Sequence, residues 1–227
     1  TSADALFAAC GALSIAACLR AVGADGRVAF VWGAVSGLLL GALLFMTYGG
    51  AMFSLALVVP TIVAWRRRGS AVVPAVAGAT AVVVLVTGVF AAFGFWWLDG
   101  ARETRRQYWA GTAQFRPFGY FLIANLAVAL IAIGPVGFGG LLALWRRRQC
   151  RVAVGAVVVG ALLALLASHA SQYTRAEVER IWLLFYPWLL VAAGAPAMLT
   201  RGRVTALLIG VQAGCSIILQ ASLVSKW

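Results

Sequence analysis

Two polar stretches interrupt an otherwise apolar chain of 227 residues, and they hold most of the side chains able to do chemistry. The first, WWLDGARETRRQYWAGTAQFRP from Trp96 to Pro117, mixes aromatics with Asp99, Arg102, Glu103, Arg105 and Arg106. Helical spacing over Ala101 to Trp109 puts Arg102 and Arg106 on one face and Arg105 and Trp109 on another. Such a helix lies along a membrane surface, its Trp and Tyr at the interfacial level and its guanidiniums free to grip phosphate. The alternative is a helix that merely rests on headgroups, its Arg and Trp contacting anionic lipid. The second stretch, SHASQYTRAEVERIWLLFYPW from Ser168 to Trp188, pairs Arg175 with Glu179 at i, i+4 and Glu177 with Arg180 at i, i+3 in a helical register. The two carboxylates then point to roughly opposite faces and form no shared-proton dyad. Either these are surface ion pairs at a helix entrance, each worth about 0–1 kcal/mol, or Glu179 or Arg180 touches a polar ligand. Arg180 directly precedes Ile181-Trp182, at a depth where a charge needs a partner or a water-filled cavity, and this favours the second reading.

Other residues carry less. His169, at the outer end of its apolar segment, is either a base or phosphate ligand or a hydrogen-bonded boundary residue, and Tyr48 is either a site residue or an interface anchor. Asn125 is expected to hydrogen-bond between helices. The motifs SGLLLG, GPVGFGG and GAVVVG lie inside apolar segments and read as close helix packing. Four Cys with no CxxC spacing and a single His support neither a zinc site nor a redox pair, so no metal is assigned. The sequence contains no DxD, HExxH, GxSxG or Walker motif.

The elements that must position these loops follow from composition. Apolar residues make up 63% of the chain, charged residues 11%, and the mean hydropathy is +0.98. A soluble domain is roughly half apolar and about a quarter charged; a soluble enzyme, a nucleic-acid-binding domain and a disulfide scaffold are thereby excluded. The net charge of +12 comes from seventeen Arg and one Lys, most of them in short clusters between apolar segments. The expected fold is a single all-α domain over residues 1–227, a polytopic membrane helical bundle of about eight transmembrane helices. The segments are Ala5 to Leu19, Val28 to Met46, Ala51 to Trp65, Ala71 to Phe95, Phe118 to Trp145, Val152 to Ala167, Ile181 to Leu199 and Val204 to Val224. The run from Val28 to Trp65 would measure roughly 57 Å as one helix, so it must fold back, and Thr47-Tyr48-Gly49-Gly50 supplies the turn.

Basic residues stay with the cytoplasmic loops. One side of the bundle carries eleven of them (Arg20, Arg27, Arg66 to Arg68, Arg146 to Arg148, Arg151, Arg201 and Arg203) against one acid, Asp25. The other carries seven basic residues and the remaining five acids, together with both polar stretches, and is therefore extracytoplasmic. Both chain ends fall outside, which is natural for the C-terminal portion of a longer multi-pass plasma-membrane protein.

The stretch TRRQYWAGTAQFRPFGYFLIANL, the turn FMTYG, the segment RAEVERIWLLFYPWLL and the terminal Trp227 together resemble the C-terminal half of actinobacterial glycosyltransferases of the GT-C superfamily. The resemblance covers nearly the whole chain, at the level of the family. It implies a polytopic enzyme that transfers a mannosyl, arabinofuranosyl or methylthioxylosyl group from a polyprenyl-phosphate donor to a cell-envelope glycan or glycolipid at the outer membrane surface. The general base of such enzymes is expected upstream of Thr1, so no catalytic residue is assigned here. The resemblance implies donor-phosphate and substrate contacts, first from Arg175, Glu177, Glu179 and Arg180, then from Arg105, Arg106, Tyr108 and Arg116, with His169 and Tyr48 as further candidates. No cofactor is expected, a divalent cation being left open, and the partners are the bilayer, the lipid-linked donor and the acceptor, with no nucleic acid. The competing readings are a permease for a lipid-linked glycan, which calls for intramembrane charges or broken helices, and a non-catalytic membrane subunit.

Overall fold

The computed structural model describes residues 3–146, 152–176, 178–193 and 202–222. Every regular element in these residues is helical, as it must be where lipid offers backbone N–H and C=O groups no partner. α1 spans Ala3–Gly23 and α2 Gly26–Met46. After a break at Thr47, α3 covers Gly49–Phe53 and α4 Leu55–Arg68, and α5 covers Val73–Ala92. α6 is Trp97–Ala110, α7 Phe118–Arg146 and α8 Val152–Ser171. Short α9 (Val178–Ile181) and α10 (Tyr186–Leu190) follow, each with a 3-10 turn after it, and α11 covers Gly202–Ser222.

Five helical stretches among the described residues are long and apolar enough to cross a bilayer: Ala3–Gly23, Gly26–Met46, the 44-residue stretch Gly49–Ala92, Phe118–Leu142 and Ala153–Ser171. The chain is thus an all-α, multi-pass membrane protein, consistent with a plasma-membrane location, and the expected count of eight goes beyond these five. The first helix is longer than the expected Ala5 to Leu19, because Asp4 in its first turn and Arg20 in its last are charges that suit the two ends of the helix dipole. The expected continuous span from Ile181 to Leu199 is instead broken into alternating α and 3-10 turns up to Ala193. Pro187, which has no N–H to donate, sits in the first turn of α10.

The turn at Thr47 to Gly50 forms as expected. α4 then returns along the bundle, and Arg68 at its end donates to the Val22 and Ala24 carbonyls at 2.6 and 2.9 Å and pairs with Asp25 at 2.5 Å. Gly69, at φ 57°, reverses the chain into α5, whose Phe90 stacks on Phe45 at 3.9 Å back at the first end. α2 and α5 run parallel: Gly33 and Gly37 lie on the backbone at Ala75 and Ala79, where any Cβ would collide with carbonyl oxygen. This is the small-residue packing expected of SGLLLG, since lipid leaves van der Waals fit and interhelical hydrogen bonds to join helices. A buried Ser14–Ser36 pair adds such bonds between α1 and α2, with the Ser36 hydroxyl donating to the Ser14 carbonyl at 2.9 Å. Gly160 of GAVVVG sits likewise against Ala56, joining α8 to α4.

GPVGFGG does something different from the close packing expected of it. Gly134 takes φ 69°, ψ 175° ahead of Pro135 and breaks α7 within its span. The freed groups are met by one side chain of α11: the Val136 N–H donates to Gln212 Oε1 at 3.3 Å, and Gln212 Nε2 donates to the Ile133 carbonyl at 3.5 Å. Satisfying a helix break from a neighbouring helix is what the bilayer demands.

Candidate functional site

At the end of the bundle opposite the Arg66–Arg68 cluster, α1, the Thr47–Met52 turn, α6 and the 168–185 segment enclose a cavity of about 450 Å³. Its lining is mixed. Phe7, Met52, Leu98, Ile181, Leu184 and Phe185 are apolar; Tyr48, Trp97, Ser168, Ser171, Tyr173 and Thr174 bring hydroxyls or an indole, and Asp4, Arg102 and Arg180 bring charge. A concave, mostly apolar space with a few convergent polar groups is the usual form of a small-molecule site.

Each wall is held by an identifiable contact. α6 forms over the residues expected to be helical, and none of its side chains is buried, as suits a helix lying at an interface. Its Trp97 donates from Nε1 to the Leu44 carbonyl at 2.9 Å, and Tyr48 meets the Trp97 ring edge to face with centroids 5.3 Å apart. Asp4 and Arg180 close the rim with an ion pair at 3.3 Å; the Asp4 side chain is 20% exposed and that of Arg180 54%. Arg102, also on the rim, pairs with Asp99 at 2.9 Å.

Arg175 stands apart from the cavity. The expected helical register from Arg175 onward does not form: α9 starts only at Val178, and Ala176 adopts φ 72°. The buried guanidinium instead lies over the Trp109 ring at 4.4 Å and the Phe118 ring at 5.5 Å, donates to the Arg116 carbonyl at 2.7 Å and reaches Gln172 Oε1 at 3.3 Å. Arg116 donates in return to the Arg175 carbonyl, and the Arg175 N–H donates to the Tyr108 hydroxyl at 2.6 Å. Asn125 completes the arrangement: its Nδ2 donates to the Thr174 carbonyl at 2.9 Å and its Oδ1 accepts from the Ala176 N–H at 3.3 Å. It therefore serves a loop rather than another helix. Arg175, Arg116, Tyr108 and Asn125 form a clasp that fixes the 172–176 loop, and with it Tyr173 and Thr174 in the cavity wall.

The remaining sequence candidates divide. Tyr48 and Arg180 line the cavity. Arg105 lies 5.6 Å over the Tyr173 ring, and Arg106 is an exposed partner of Glu103 at 3.8 Å. His169 is buried in the last turn of α8, edge-on to Trp182 at 5.9 Å, with no hydrogen bond on either ring nitrogen. Glu177 and the side chain of Glu179 lie outside the described residues, as do the two ion pairs expected of them. Trp97, Thr174 and the serines of α8 are not among the expected site residues; Asp4, for which the sequence suggests proximity to the site but no role, lines the cavity. All of them lie at the same end of the bundle, and only packing brings them together. Among the described residues no group of three His, Cys, Asp or Glu side chains is placed to hold a metal.

The fold and cavity define a polytopic helical membrane protein with an amphipathic pocket at one end of the bundle. Comparison with protein-family models, curated proteins and solved structures finds no match.

Proposed function

We propose that this chain is part of an integral membrane glycosyltransferase of the GT-C type, transferring a sugar from a polyprenyl-phosphate donor to a cell-envelope glycan or glycolipid on the extracytoplasmic face. The observation that carries this reading is the meeting of Asp4, Arg180, Tyr48 and Trp97 around one cavity at the end of the bundle opposite the Arg66–Arg68 cluster; this reading takes that end as the outer face, the level at which a lipid phosphate presents its sugar. As the glycosidic bond to phosphate breaks, negative charge grows on the leaving phosphate, and a guanidinium at the rim stabilises it. In this reading Arg180 takes that role, and its pairing with Asp4 at 3.3 Å on the rim supports it. The Tyr48 and Trp97 rings and the hydroxyls of the wall suit a sugar.

The test uses the full open reading frame in nanodiscs with radiolabelled polyprenyl-phosphate mannose or arabinofuranose and a glycolipid acceptor. Transfer that falls at least tenfold in Arg180→Ala is the expected result; absence of both transfer and donor binding with either sugar overturns the reading.

The break in α7 at Gly134 and Pro135 favours a second reading, a permease for a lipid-linked glycan, because transporters place broken helices at their substrate sites. Here the freed backbone groups face Gln212. Movement of a fluorescent lipid-linked glycan across proteoliposome membranes would select this reading.

A further inference from the structure

We infer that the cavity holds a neutral sugar ring, with Trp97 as its stacking platform and Thr174 as a hydroxyl partner, while phosphate is met only at the rim. This deepens the transferase reading and rests on it for the identity of the ligand.

Three observations combine. The first concerns charge. The two guanidiniums among the described lining residues both face carboxylates, Arg180 facing Asp4 at 3.3 Å and Arg102 facing Asp99 at 2.9 Å, and their side chains are 54% and 76% exposed. Among the described lining residues, formal charge is thus carried by Asp4, Arg180 and Arg102 and is paired there, so an anion gains little by entering further, whereas a polyol meets hydroxyls and rings. The second is the rigidity of Trp97. Its indole N–H is fixed to the Leu44 carbonyl and Tyr48 packs against its ring at an edge-to-face angle, and Trp97 lines the cavity, offering an aromatic surface of the kind on which the C–H face of a sugar ring rests. An aromatic with two rotatable bonds, already held, loses little entropy on binding.

The third observation is Thr174. It lines the cavity, yet its Oγ1 is shut off from solvent and hydrogen-bonds to nothing in the protein. Buried hydroxyls are normally paired, so one left over is unused hydrogen-bonding capacity. The Asn125 side chain holds the Thr174 carbonyl and so fixes the backbone, and a turn about χ1 between staggered wells suffices to aim the hydroxyl at a ligand.

The test separates binding from folding. Octyl mannoside and octyl arabinofuranoside serve as neutral probes and dodecyl phosphate as the anionic one, each titrated by saturation-transfer NMR against the full chain in nanodiscs. Saturation should reach the sugar-ring protons. Thr174→Val should leave the thermal midpoint unchanged or raised, since its hydroxyl has no partner, and weaken glycoside affinity about five- to tenfold, the loss of one hydrogen bond. Trp97→Ala should abolish ring saturation, and neither variant should change dodecyl phosphate affinity. Unchanged glycoside affinity in Thr174→Val, or equal losses for glycoside and phosphate probes, overturns the inference. Sugar transfer with unaltered glycoside binding in the variants removes this inference and leaves the transferase reading standing; probe binding with the expected losses but no transfer does the reverse.

Discussion

Asp4, in the first turn of the first helix, meets Arg180, in the short helix after α8, at 3.3 Å across the rim of the cavity. The pair joins the start of the bundle to its most irregular segment. Arg180→Ala is expected to lower affinity for a polyprenyl-phosphate sugar about tenfold, the effect of losing a charge-assisted hydrogen bond to phosphate. Asp4→Asn should change stability by only about 0–1 kcal/mol, as for other partly exposed pairs. Donor titration and thermal melts of the same preparations separate the two effects.

The α2–α5 contact is the place where added volume is least tolerated. Gly37→Leu forces a side chain into the Ala79 backbone, and overpacking of this kind costs about 1–3 kcal/mol or more. Gly88→Leu on α5, where a Cβ meets nothing within 4 Å, should leave the melting midpoint unchanged. Equal losses in the two variants would show that lipid-facing volume, and not the interhelical contact, governs stability.

Gln212 closes the broken backbone of α7. Gln212→Leu keeps the length and apolar character of α11 but leaves the Val136 N–H and the Ile133 carbonyl without their partner. A cost of about 1–3 kcal/mol is expected for such orphaned groups, together with faster hydrogen exchange confined to residues around 133–137.

Arg175 is a positioning residue in this structure. Arg175→Lys keeps the charge but loses the planar stacking on Trp109 and Phe118 and the fork that reaches Arg116 and Gln172. The expected outcome is a lower thermal midpoint, by about 1–2 kcal/mol of stability, with donor affinity per folded molecule changed less than twofold. A tenfold loss of affinity in fully folded Arg175→Lys protein would instead place this guanidinium on the ligand.

The features readable from the sequence were those that follow from solvent and period. Apolar runs of bilayer length had to be helices, because hydrocarbon satisfies no backbone group, and the clustering of arginine set which loops share a side. The turn at Thr47 to Gly50 and the interfacial helix around Arg102 to Trp109 follow from the same reasoning, since a run of twice the bilayer thickness must reverse and an aromatic, arginine-rich stretch lies at the interface. The break at Gly134 was not legible, because GPVGFGG is compatible with either tight packing or a kink until a partner such as Gln212 is found beside it.

The site divides in the same way. The two polar stretches that reach it were legible, and Tyr48 and Arg180, both candidates from the sequence, line the cavity. The roles of Arg175, Arg116 and Tyr108 were not, because a guanidinium binds a phosphate, an aromatic face or a backbone carbonyl with comparable ease, and residue type does not choose among them. Asp4, Trp97 and Thr174 are separated along the chain and come together only when α1, α6 and the 172–176 loop converge on one end of the bundle. The sequence alone determined a multi-pass helical bundle with its polar loops on one side; only tertiary structure decided which of those polar groups are already satisfied by the protein and which remain for a ligand, because satisfaction depends on distances between elements that no local spacing encodes.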